Sequence, residues 1–153
     1  MAQTIGWLRI TDATEAVEAA AVVRGTHCRE ARELFTEWSR ALGFGRHFGG
    51  NWDAFADSLT EAVLLDPDNS VRPPTTILVE EAGQLLAEEP DRQWATFLDA
   101  LRDVSTVRDD DEDAACFPEG SPRLVLILRD TPEHLNPVAN RLAALGYIHP
   151  RMP

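Results

Sequence analysis

Three short apolar runs limit what this chain can fold into: AAVVRG (20–25), TTILVEE (75–81) and RLVLILRD (123–130). Each is rich in valine, isoleucine or leucine and lacks clear polar alternation, as in strands covered on both faces. The segments between them carry a helical period instead. From Cys28 to Leu42, residues Ala31, Leu34, Phe35, Trp38, Ala41 and Leu42 recur at i, i+3, i+4 and i+7, and Gly43 ends the run. A second helix opens at Asp91, with Trp94, Phe97, Leu98, Leu101 and Val104 on one face and Asp99 and Asp103 on the other. Strands that alternate with helices predict an α/β fold, a small parallel sheet packed with helices. Three strands are expected, with TIGWLRI (4–10) as a possible fourth.

Other stretches read less sharply. TDATEAVEAA is ambiguous between turn and short helix. AGQLLAEE is expected to form a short helix stopped by Pro90. TPEHLNPVANRLAALGY predicts a C-terminal helix with Thr131 or Asp130 as its cap and Gly146 at its end. DPDNSVRPP (66–74) and the acidic stretch 106–122 read as connections. At 153 residues the whole is most simply one domain, 1–153.

Charge narrows the function. The net charge of −12 opposes binding to nucleic acid or to an anionic membrane and favours a basic protein partner. Twelve acids lie between Glu80 and Asp113 against three arginines, and lysine is absent. No apolar run approaches the roughly 18 residues of a membrane span. The N-terminus also lacks a secretory pattern, so a cytoplasmic location with Cys28 and Cys116 as reduced thiols is expected.

The stretch GFGRHFGGNWDAFADSLTE (43–61) is the centre of interest. Asn51 is a suitable N-cap for a helix starting at Trp52. At about 100° per residue, Trp52, Phe55, Ala56, Leu59, Ala62 and Val63 fall on one arc. Asp53, Asp57 and Glu61 fall on another, with Thr60 at its border. Like charges four residues apart cost a helix a few tenths of a kcal/mol per pair. Asp53 recovers part of this from the helix dipole, and Glu61 lies too far along to do so. No lysine or arginine on the helix relieves the stripe. It is therefore either a solvated polar face or a surface shaped for a basic partner. Trp52, at the edge of the apolar arc, suits an interface anchor or a core-edge packing role.

Other chemistries find little support. The glycines at 43–50 follow a helix rather than a strand and lack Gly-Lys-Ser/Thr, so they fit a reversal better than a phosphate cradle. His27, His47, His134 and His149 show no metal-ligand spacing, and the acids at 109–113 lack a calcium-loop frame. No metal or cofactor is expected. No Gly-x-Ser-x-Gly elbow occurs. Asp53 and Asp57 could in principle form a general acid–base pair, but an exposed helix offers no asymmetric environments to part their pKa values.

The sequence from Val22 through His47-Phe48-Gly49-Gly50-Asn51-Trp52-Asp53-Ala54-Phe55-Ala56-Asp57-Ser58-Leu59-Thr60 resembles the barstar family of ribonuclease inhibitors. That family carries a motif close to Tyr-Tyr-Gly-x-Asn-Leu-Asp-Ala-Leu-Trp-Asp-x-Leu-Thr, and its Gly-x-Asn-x-Asp-Ala-x-x-Asp-x-Leu-Thr skeleton is intact here. The resemblance covers about residues 20–130, leaving an N-terminal strand extension and a C-terminal helix extension. It implies a three-stranded parallel sheet with packed helices and a non-enzymatic inhibitor. Such an inhibitor would be a monomer binding a basic, barnase-like ribonuclease one to one. Asp57 would enter the phosphate pocket of the nuclease and Asp53 would meet neighbouring cations. Asp103 would supply the third acid, with Asn51 and Thr60 adding hydrogen bonds and His47, Gly49, Trp52, Ala56 and Glu61 completing the contact surface. His47 and Phe48 replace two aromatic contact residues of the family, Ala56 its tryptophan and Trp52 a leucine. The rivals are a barstar-like module for another basic toxin or regulator, and a small hydrolase using the paired aspartates.

Overall fold

The computed structural model describes residues 6–12, 16–44, 50–64, 75–106 and 122–147. In chain order the elements are β1 (Leu8–Thr11), β2 (Ala21–Arg24), α1 (Ala31–Leu42), α2 (Trp52–Leu64), β3 (Thr75–Glu80), α3 (Asp91–Ser105), β4 (Leu124–Arg129) and α4 (Pro132–Ala144). All strand pairs are parallel, in the order β1-β4-β3-β2. The fold is thus α/β with four strands, the N-terminal run supplying the fourth beside β4.

Burial follows position in the sheet. In the central strands, Ile77, Val79, Leu124, Leu126 and Leu128 face the helices, while Leu78, Val125 and Ile127 form a cluster on the opposite face under Val17 and Ala19. Both faces are covered, which is why these runs do not alternate. The edge strands do alternate, β1 buried at Leu8 and Ile10 and β2 at Ala21 and Val23. AAVVRG is therefore not the strand buried on both sides that its composition suggests, because it closes the sheet and leaves Val22 46% exposed.

The main core lies between the sheet and the helices. Trp38, Phe55, Phe97 and Trp94 are essentially fully buried and meet in edge-on or tilted ring contacts, such as Trp38–Phe55 at 5.3 Å and Trp38–Phe97 at 5.5 Å.

Two boundaries differ from expectation. The first helix starts at Ala31 rather than Cys28. The Ala31 amide donates to Glu89 at 2.8 Å, and Cys28 turns into the core, where burial pushes its thiol up to about 12 with Glu37 adding to the effect. AGQLLAEE forms only a 3-10 turn at Ala82–Gln84. Its following backbone is taken up by tertiary bonds, Leu86 N–H to Cys28 O and Glu88 N–H to Arg29 O. Gly83 meanwhile donates to Asp130 at 2.8 Å. The other helices match their periodicity, with Gly43 left-handed at the end of α1 and Thr131 as the N-cap of α4. The loops expected at 66–74 and 106–122 lie outside the described residues, save Thr106 and Pro122.

Candidate functional site: the acidic face of two packed helices

The start of α2 is fixed by sequence. Gly50 takes φ +70°, a conformation that suits a residue without Cβ. The Asn51 side chain then accepts the Ala54 amide at 2.8 Å, while its carbonyl accepts the Phe55 amide at 2.9 Å. Phe55, Leu59 and Val63 are fully buried and hold the helix down.

Trp52 is half-buried and locked. Its indole N–H donates to the Gln93 side chain at 2.6 Å, and its ring meets Phe35 at 4.9 Å and Phe55 at 5.5 Å, both edge-on. The side chain packs at the core edge and joins α2 to α3.

That contact also orients the two helices. Trp52 and Gln93 lie near their respective N-terminal ends, so the bond joins the starts of α2 and α3, and Phe97, one turn beyond Gln93, meets both Trp52 and Phe55. At about 100° per residue, Ala56 and Thr60 lie about 40° and 80° past Trp52, and Asp53, Asp57 and Glu61 follow from about 100° to 180°. On α3, by the same rule, Ala100 lies about 20° from Gln93 and Asp103 about 80° from it, toward solvent. Asp99 is turned farther away. On this projection the α2 stripe and Asp103 border the valley that two packed helices leave between them, and Ala56, Thr60 and Ala100 are half-buried.

Asp53, Asp57 and Glu61 are all exposed. Among the described residues none of the three has an ion pair or a side-chain hydrogen bond, although arginines elsewhere in the chain are paired. Arg40 is held by Glu37, Arg129 by Glu80 and Arg141 by Asp91. The Thr60 hydroxyl donates to the Ala56 carbonyl at 2.8 Å, so toward a partner it offers only its acceptor oxygen.

Asp103 differs from the α2 acids. The Arg102 Nε lies 3.8 Å from Asp103, and the Arg102 Nη2 lies 3.5 Å from Asp99. Asp99 also accepts the Tyr147 hydroxyl at 2.6 Å. Burial, and then Asp99, push the Tyr147 phenol well above its ordinary value. Sequence reading missed Arg102 and Tyr147. The i,i+3 spacing of Asp99 and Arg102 was a usable signal for the first, whereas nothing local announces a contact 48 residues away.

His47 and Gly49 lie outside the described residues. Asn51, Trp52, Asp53, Ala56, Asp57, Thr60 and Glu61 share α2, with Asp103 across the valley. Described residues line cavities at the carboxyl ends of the strands, around Arg24, Glu80 and Arg129, and beside α1 at Thr26, His27 and Glu37. No group of three or more potential metal ligands occurs among the described residues, and no described helix is long and apolar enough to cross a membrane.

The family model described as Barstar (barnase inhibitor) matches residues 18–119. The chain belongs to the barstar family. The match takes in β2, α1, α2, β3 and α3, so both walls of the acidic valley lie within it. It stops short of β4, while β1 and α4 also lie outside. No curated protein matches the chain.

Proposed function

We propose that this barstar-family chain inhibits a basic ribonuclease of the barnase kind, one to one, by laying the α2 stripe and Asp103 into the cationic active site. The observation that carries the reading is the exposure of Asp53, Asp57 and Glu61, unpaired among the described residues, on a helix with no cation of its own. Like charges that repel in the free helix gain opposite charges in such a cleft. The net charge of −12 adds long-range attraction, which raises the encounter rate at low ionic strength. Asp57, central in the stripe, occupies the phosphate position, and Asp53 pairs with cations beside it. Both carboxylates stand in the same open setting, which supports binding rather than acid–base catalysis.

The test uses barnase as the probe. The wild-type chain is expected to block its RNA cleavage, and Asp57→Ala to weaken binding by about 10²- to 10³-fold, since one charge of a desolvated pair is left uncompensated. Circular dichroism of the variant should match wild type. Inhibition that survives Asp57→Ala unchanged, or wild-type protein that leaves barnase active, refutes the proposal.

A further inference from the structure

The C-terminal segment reaches the acidic valley through a chain of three side chains. Tyr147 is 7% exposed, and its ring meets Trp7 edge-on at 5.9 Å, so the phenol is fixed between the lead-in to β1 and helix α3. Its hydroxyl donates to Asp99 Oδ1 at 2.6 Å. That same oxygen is the atom 3.5 Å from the Arg102 Nη2. The other side of the guanidinium, Nε, lies 3.8 Å from Asp103 Oδ1. Arg102 is thus shared between two carboxylates, and one of them is partly committed to the phenol. A carboxylate oxygen has a limited set of lone-pair sites. By donating to that oxygen, Tyr147 competes with Arg102 for Asp99, whose carboxylate still lies nearer the guanidinium than that of Asp103.

We infer that Tyr147 and Arg102 attenuate the recognition face, with Arg102 masking part of the Asp103 charge and Tyr147 biasing Arg102 toward it. This rests on the proposed ribonuclease-binding role of the face. Arg102 is a positioning residue that acts through Asp103. On α3 its direction lies about 100° from that of Asp103, on the flank turned away from α2, so it does not itself point into the valley. Arg102 is 51% exposed and Asp103 68%, which keeps the pairing weak and the attenuation to a few-fold.

The test measures barnase association and dissociation for single and double variants. Arg102→Gln is expected to bind about 1.4- to 5-fold tighter than wild type, mainly through faster association at low salt. Tyr147→Phe keeps the ring in place and should shift affinity in the same direction by a smaller factor. Arg32→Gln removes the same charge from a side chain 89% exposed at the start of α1 and should give a smaller gain than Arg102→Gln. In an Asp103→Asn background the Arg102→Gln gain should fall to that of Arg32→Gln and the Tyr147→Phe gain should vanish, a coupling that mere loosening of the fold would not produce. If binding depends on Asp57 but Arg102→Gln shows no coupling to Asp103, this inference falls and the function stands. If barnase is not bound at all, both fall together.

Discussion

Asp57→Asn is expected to stabilise the free protein while it damages binding. Asp57 has Asp53 four residues before it and Glu61 four after it, and no partner among the described residues. Each like-charge pair at that spacing costs about 0.2–0.5 kcal/mol, so removing the shared charge relieves two of them, about 0.4–1 kcal/mol. Asparagine and aspartate have nearly equal helix propensity, so the substitution isolates the charge. Asp57 lies beyond the first turn, where the helix dipole acts little. For a chain of this size the relief corresponds to a rise in Tm of about 1–4 °C. Thermal melts of wild type and variant at low ionic strength read the difference, and repeating them at about 1 M salt, where the Debye length is about 3 Å, should erase it. A variant that melts lower at low salt would show that the carboxylate already has an internal complement, and a gain that persists in high salt would show that its source is not repulsion between the carboxylates. The argument for an open acidic face would then fail.

Two further outcomes concern the scaffold. A Cβ at Gly25 would stand 2.1 Å from the Glu81 carbonyl oxygen, where β2 leaves the sheet, so Gly25→Ala should lower stability by at least about 2 kcal/mol. Gly6→Ala, where a Cβ meets nothing within 4 Å, should be close to neutral, and urea midpoints for the two variants should separate clearly. At acid pH, Glu37 and Glu80 set the direction. Burial of Glu37 works to raise its pKa, but Arg40 and the Arg24 amide hold it below 4.5, and Arg129 does the same for Glu80. A carboxyl lower in the folded state contributes stability that is complete above about pH 5 and lost as the pH falls below about 4. Wild type should therefore lose more of its urea midpoint between pH 7 and pH 3 than Glu37→Gln or Glu80→Gln does, and equal losses would contradict the pairings.

The parts of this fold that were legible in sequence are those decided locally. TTILVEE and RLVLILRD are apolar on both sides because both sides are covered, and the amphipathic periods of α1 and α3 point at the core they meet. Asn51 announces α2 through its own side chain. What was not legible depends on residues far away in the chain. AAVVRG differs little in composition from a central strand, and only the sheet order makes it an edge. AGQLLAEE has helical composition, but backbone bonds to Cys28 and Arg29 take its amides elsewhere. The acidic stripe of α2 reads correctly as a stripe from its spacing. The similar spacing of Asp99 and Asp103 misleads, because Arg102 and Tyr147 divide those two carboxylates into different roles.

The two walls of the valley are consequently held by different parts of the chain. α2 is anchored by Phe35, Trp38, Phe55 and Phe97, all within the span matched by the family. α3 is backed by sequence outside that span. Arg141 of α4 pairs with Asp91 at 2.9 Å and lies over the Trp94 ring at 5.7 Å, and Tyr147 holds Asp99 midway along the helix. β1 adds a strand beside β4 and brings Trp7 against Tyr147. A substitution in the terminal extensions can therefore alter the charge presented by α3 without disturbing the α2 stripe. The proposed binding face thus joins a wall fixed within the family's span to one that the extensions can tune.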